Sequence, residues 1–208
     1  MPDVLDEVLR QAQDLGFFGP RPISEQRAHA EHFVTLALAG VDLDPSLRYL
    51  DLGSGGGLPG LVVGLVVPAS TGTLLDSRRV RAEFLGEAVD RLGLADRITV
   101  VHVRAEDAAR DPAHRERYQL VTARSFAAPP VTAESAVAFL APSGRLVVSE
   151  PPEAPPGRWD AAALAELGLT APTVAHEAGA TAAVFQRRGP LDPRWPRKRG
   201  IPEKRPLW

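Results

Sequence analysis

Residues 49–60, YLDLGSGGGLPG, place five glycines and a proline in the eight positions from Gly53 to Gly60, just after Asp51. Fixing that much glycine costs conformational entropy, so the backbone must approach something that side chains would block. A loop of this kind leading into a helix offers free N–H groups to a ligand. Two ligand classes fit the spacing. Gly55, Gly57 and Gly60 satisfy the G-x-G-x-x-G dinucleotide pattern. Asp51, Gly53, Gly55 and Gly57 satisfy the acid-x-G-x-G-x-G pattern of an S-adenosylmethionine loop. Position separates them. The dinucleotide frame starts two residues late and ignores Gly53, whereas the second frame uses the acid that ends the preceding strand. Asp51 would pair there with the ammonium of a ligand that has no pyrophosphate.

Two further acids extend the pattern. Asp76 closes the apolar stretch TLLDS, where a carboxylate accepts hydrogen bonds from both hydroxyls of a ribose in either ligand class. A third stretch ends in RAED. There the Ala105 N–H and the Glu106 carboxylate meet an adenine edge, or Glu106 and Asp107 cap the next helix; both readings stand.

These residues need strands to hold them. Residues 3–15 have apolar positions at helical spacing, and Ser24 is expected to cap a second helix running to Ala39, with Phe33, Leu36 and Ala37 in its buried stripe. From residue 47 short strands alternate with helices: LRYLDLG, GTLLDS, RITVVHVRAED, YQLVTARSF and RLVVSE are the strands. The helix after the glycine loop begins near Pro59, where a missing N–H costs little. A helix over 130–144 is expected to end at Gly144, another to cover 158–168, and two final strands to turn near Gly179. The expected fold is α/β: a mostly parallel seven-stranded sheet, Rossmann-like, with helices on both faces and an antiparallel edge. Ligands in such sheets bind beyond the carboxyl ends of the strands, which is where the glycines fall. The expected organisation is a helical extension over 1–46, a ligand-binding domain over 47–188 and a basic tail over 189–208.

Composition narrows the class. Hydrophobic residues make 44% and charged residues 24% of the 208, as in a soluble globular protein. With no cysteine, disulfides, zinc ribbons and thiol nucleophiles are excluded. No apolar run is long enough to span a membrane, and the acidic, amphipathic N-terminus is unlike a signal peptide, so a cytoplasmic protein is expected. Residues 187–208 carry eight Lys or Arg against two acids, a net of +6, while the whole chain is −2. The tail either meets an anionic partner or aids solubility.

YLDLGSGGGLPGL, LLDSRRVRAEFL, VRAED, YQLVTARSFA and WPRKRGIPEKRPL together resemble the bacterial 16S rRNA guanine-N7 methyltransferase family, also called the glucose-inhibited division protein B family. The resemblance covers about 47–148 and 194–207. It implies a class I methyltransferase fold with S-adenosylmethionine as cofactor and S-adenosylhomocysteine as product. It also implies that Gly53 and Leu58 hold the cofactor in the loop and that Ala105 and Glu106 contact its adenosine. Asp51 and Asp76 take the places of the usual amino-group and ribose acids. Ser54, Gly55 and Ser77 complete the expected cofactor set. Arg124, in TARSF, is expected beside the transferred methyl as both a cofactor contact and the catalytic residue. The chain departs from the family in lacking its N-terminal Trp-Asn and Asn-Leu-Thr segments, though it keeps His32 and Phe33. It ends its fifth strand in Ser149-Glu150 rather than Lys-Gly, which sets an anion at the substrate mouth.

Methyl transfer is an in-line displacement in which the protein supplies proximity, up to roughly 7–11 kcal/mol. Guanine N7 has a free lone pair and no proton, so no base is needed. Pyrimidine C5 would call for a cysteine, and an exocyclic amine for an Asn/Asp-Pro-Pro-aromatic turn where this chain reads TARSF. His102, His114 and His176 are expected to be structural or exposed. The expected partner is 16S rRNA or the small ribosomal subunit, met by the basic tail with Trp195 and Trp208 stacking on bases. Phe126 either stacks on a flipped base or belongs to the core, and Arg78, Arg79 and Arg81 form a second basic cluster. No metal and no membrane partner are expected, and the protein is expected to be a monomer. A small-molecule methyltransferase and a non-catalytic S-adenosylmethionine-binding RNA module are the alternatives.

Overall fold

A computed structural model describes residues 3–41 and 47–208. The expected boundary at 46 and residues 1–2 lie outside the described residues. Helix α1 spans Val4–Asp14 and α2 spans Ile23–Leu38. Then come β1 Arg48–Leu52, α3 Gly60–Val66, β2 Thr71–Asp76, α4 Arg79–Arg91 and β3 Ile98–His102. The chain continues through α5 Ala105–Ala108, β4 Tyr118–Ala123, α6 Pro129–Val137 and β5 Leu140–Glu150. It closes with α7 Ala161–Glu166, β6 Thr173–Glu177, β7 Ala180–Gln186 and α8 Ile201–Lys204.

The seven strands form one sheet in the order β3-β2-β1-β4-β5-β7-β6. The five from β3 to β5 run parallel, and β7 pairs antiparallel with both β5 and β6. Alternation along each strand feeds two cores. Tyr49, Leu74, Leu120 and Val147 face α1 to α4, while Leu50, Leu75, Val121 and Leu146 face α5, α6 and α7. Strand order reverses between β1 and β4, so the loops that follow these two strands flank the crevice.

Local chemistry moves several expected boundaries. Helix α2 starts at Ile23 with Pro22 in the cap position and no side-chain cap, so Ser24 lies in the first turn rather than capping it. The expected third strand stops at His102, because the RAED segment folds into the short helix α5. The helix expected over 130–144 ends at Val137. Leu140 already pairs with Tyr118, and a bulge then shifts the register to Leu120–Arg145. Ser143 takes a positive φ within that bulge, so β5 reaches past Pro142, which would have broken a helix. Helix α7 starts later than expected, where the Asp160 side chain accepts from the Ala163 N–H. The last two strands do turn at Ala178–Gly179.

The segment after β7 folds back over α5 and α6. Trp195 is 2% exposed, and burying an indole of that size contributes on the order of 4 kcal/mol. Trp195 is therefore part of the core and not a free platform for bases. No helix among the described residues is long and apolar enough to cross a membrane.

Candidate functional site

Gly53 makes the turn at the end of β1. Its φ is +72°, and a Cβ there would lie 2.5 Å from the Phe126 ring. The N–H groups of Gly53 and Ser54 donate to the Leu75 carbonyl, so the loop is tied to β2. Ser54 Oγ donates back to the Asp51 carbonyl at 2.9 Å. The Gly55 N–H donates to Asp76 Oδ2 at 2.9 Å, and the Arg78 N–H to Oδ1 at 2.8 Å. The loop and the carboxylate of the next strand thus form one unit.

Asp51 is placed differently from the expectation of an ammonium contact. It is 1% exposed, and it lines neither of the cavities described below. Its Oδ1 accepts from Thr122 Oγ1 at 2.7 Å and its Oδ2 from the Gly60 N–H at 3.2 Å. Burial pushes its pKa up to about 6, against those hydrogen bonds, that of Ser54 and the charge of Arg124. It fastens β1, β4 and the start of α3 beneath the loop.

Two cavities open above the strand ends, and Gly53, Arg81, Ser125, Phe126 and Ala127 line both. The smaller, about 220 Å³, is bordered by Asp76, Ser77, Ala105 and Glu106, and on its far rim by Glu203. The larger, about 720 Å³, is bordered by Ser54, Gly55, Leu58 and Arg124. Ser125, between Arg124 and Phe126, has a φ of 54°, uncommon for a residue with a side chain. Such kinks concentrate at functional sites. Of the ten expected site residues the crevice gathers nine, and Asp51 lies below them.

Glu106 sits in the first turn of α5 and also faces the smaller cavity, so both readings of that acid meet in one residue. Burial raises its pKa, but the Gly200 N–H at 2.9 Å and the neighbouring Arg104 outweigh this, and the net shift is downward. It stays ionised at neutral pH.

The larger cavity draws on α2. Gln26, 7% exposed, accepts from Arg124 Nη2 at 2.7 Å. Arg124 Nη1 and His29 Nδ1 are both buried without a hydrogen-bond partner among the described residues. Burial pushes the Arg124 pKa down, opposed by Asp51. Burial, then the charges of Arg124, Arg21 and His32, push His29 down, so its imidazole is neutral at pH 7. The departure at Glu150 is compensated. Its carboxylate lies 2.6 Å from Arg158 Nε and accepts from Trp159 Nε1 at 3.1 Å. Burial raises the Glu150 pKa against both neighbours. The mouth therefore carries an ion pair and no net anion.

Gln26, His29 and Arg158 join the site from outside the sequence motifs, Arg81 joins it from the second basic cluster and Glu203 from the C-terminal segment. One signal was available: Gln26 is a polar residue in the stripe of Ala30, Phe33 and Ala37. His102, His114 and His176 bond to Ser77, Tyr118 and Thr181 and line neither cavity. Among the described residues no cluster of His, Asp and Glu has the makings of a metal site.

The basic character of the C-terminal segment is partly cancelled. Arg187 pairs with Glu116, Arg194 with Glu166 and Asp192, Arg197 with Glu134, and Arg199 with Asp107. Arg188, Lys198, Lys204 and Arg205 make no ion pair among the described residues and are exposed.

A family model described as GidB, rRNA small subunit methyltransferase G, matches residues 6–150. A protein of Rubrobacter xylanophilus named ribosomal RNA small subunit methyltransferase G is 37% identical over 77% of this chain, and the match spans 65% of that protein, just under two thirds. A protein of the same name from Deinococcus deserti is 35% identical over 86% of this chain and 76% of its own length. Among solved structures, a SAM-dependent methyltransferase from Aquifex aeolicus matches with a TM-score of 0.60 at 15% identity, over 86% of this chain and 97% of that one. A putative sarcosine dimethylglycine methyltransferase from Galdieria sulphuraria matches at 0.59 and 16%, over 80% and 88%. These two likenesses bear on the fold, which is the Rossmann-like class I methyltransferase fold.

Proposed function

Because the chain belongs to the GidB family of rRNA small subunit methyltransferase G proteins, we propose that it transfers a methyl group from S-adenosylmethionine to N7 of a guanine in 16S rRNA. The observation that carries this reading is the pair of cavities meeting at Phe126: Asp76, Glu106 and Glu203 border the smaller beside Arg78, Arg81 and Arg104, and Arg124 borders the larger beside the glycine loop. Asp76 borders the smaller one and keeps lone pairs free beyond its two backbone bonds, which suits a ribose diol. The Ala105 N–H would donate to a ring nitrogen of adenine, and the Glu106 carboxylate would accept from its amine. The groove beside Gly53 leads from there to Arg124.

S-adenosylmethionine, when bound, supplies a methyl carbon made electrophilic by its sulfonium. The chain's own residues align the acceptor. Arg124, held by Gln26, has Nη1 free to donate to an acceptor oxygen such as guanine O6, leaving the adjacent N7 lone pair unencumbered. Leu58 and Phe126 keep water from the path between the two ligands. No residue has to remove a proton. The RNA backbone meets Arg21 at the mouth, which makes no ion pair among the described residues, and the unpaired cations of the C-terminal segment.

His29 favours a second reading. A neutral imidazole with a free nitrogen in the acceptor cavity is a competent base, and a small hydroxyl or amine substrate would use one. Labelled methyl transfer to small ribosomal subunits, free 16S rRNA and small purines, run side by side, separates the two. Label in 16S rRNA, released as N7-methylguanine on digestion, is the expected result. Label only in small compounds, or none from a protein that binds S-adenosylhomocysteine, overturns the proposal.

A further inference from the structure

The C-terminal segment is held far more tightly than an RNA-binding tail needs. Trp195 is buried, the Arg194 and Arg197 guanidinium carbons lie 4.5 and 6.0 Å from its ring centroid, and its Nε1 donates to the Glu166 carbonyl at 3.3 Å. The Trp195 and Pro196 carbonyls accept from Arg115 at 2.8 Å and from Arg110 at 2.7 Å. Arg197 grips Glu134, whose side chain is 1% exposed, through Nε at 2.9 Å and Nη2 at 2.6 Å. Each of these contacts removes a cation from any RNA footprint or fixes the backbone against α5 and α6.

The segment then reaches the smaller cavity. Gly200 adopts φ +74°, which an L-residue resists, and in that conformation its N–H donates to Glu106 Oε1 at 2.9 Å. One turn on, Glu203 accepts from Arg104 Nη2 at 3.0 Å, and both side chains line that cavity. Pro202 is buried beneath them. One oxygen of Glu106 is thus fixed by the segment, while the other faces Arg104 at 3.6 Å.

We infer that residues 194–204 form a wall of the cofactor site, with Glu203 on the cavity rim and Gly200 as the positioning residue that aims Glu106 at a purine amine. The inference rests on the proposed adenosine reading of the smaller cavity. It assigns the segment to cofactor binding ahead of RNA binding.

Calorimetric titration of S-adenosylhomocysteine into the full chain tests it, with thermal melting alongside. A Cβ at Gly200 would meet nothing within 4 Å, so Gly200→Ala changes backbone strain alone. It is expected to weaken binding about fivefold, and Gly200→Asn, which tolerates a left-handed backbone, to restore it within about twofold. Glu203→Gln frees Arg104 and is expected to weaken binding about two- to fivefold. Unchanged affinity in all three variants overturns the inference, as does a lower melting temperature for Gly200→Ala at wild-type affinity. If the parent protein itself binds no S-adenosylhomocysteine, the adenosine reading fails and takes the inference with it.

Discussion

The two cavities beside Phe126 are built from different material. The smaller lies over the ends of β1, β2 and β3, bordered by Asp76 at the end of β2, Glu106 on α5 and Glu203 on α8, with Arg78, Arg81 and Arg104 among them. The larger adds to the glycine loop long side chains from distant parts of the chain: Gln26 and His29 on α2, Arg124 after β4, Glu150 at the end of β5 and Arg158 beyond it. A nucleoside with fixed dimensions is served by short groups on a rigid frame. A polyanionic acceptor is served by arginines that reach. The halves should therefore fail separately.

The largest expected effect is at Arg124. Arg124→Ala should lower methyl transfer about 100-fold, as loss of a preorganised donor does, while S-adenosylhomocysteine affinity changes less than tenfold. Loss of both in one variant would break the separation. Asp76→Ala is next. It should weaken S-adenosylhomocysteine about 30-fold by calorimetry, since a charged acceptor contributes about 2 kcal/mol, and leave RNA affinity intact. Arg21→Ala should weaken 16S rRNA binding about fivefold and reduce its salt dependence by about one counterion, with cofactor affinity unchanged.

The smallest effect concerns Asp51, which lies under both halves. Burial lifts its pKa from 3.8 to about 6, so the native state holds a proton that the unfolded chain releases between those values. The stability contributed by the neutral carboxyl is present below about pH 4 and lost as the pH rises through about 6. Asp51→Asn stays neutral throughout. Its melting temperature should gain on the parent's by a few degrees between pH 4.5 and 7.5, then run parallel. Parallel curves across that range would show that Asp51 carries no raised pKa.

The same contrast decides what the sequence made legible. Strand period, the glycine spacing and the acids near the strand ends are local, and they mark β1, β2 and the loop between the two cavities. Asp51 was read in its place but not in its contacts, because Thr122 and Gly60 reach it only in the fold. Long-range pairs were out of view. Gln26 meets Arg124 from 98 residues away, and Gly200 meets Glu106 from 94. Eight cations within 22 residues point to an anionic partner or to solubility, and neither reading contains buried Glu134 or the Trp195 pocket, which turn the segment into a strap. Glu150 looked like a repulsive anion until Arg158, eight residues on, folded back over it.

A crystal structure of the protein with S-adenosylhomocysteine tests the division of the crevice most directly. The account requires the ribose on Asp76, the adenine between Ala105 and the Glu203 rim, and the sulfur past Phe126 facing Arg124. Adenosine lying in the larger cavity, or a crevice left empty at saturating ligand, would contradict it.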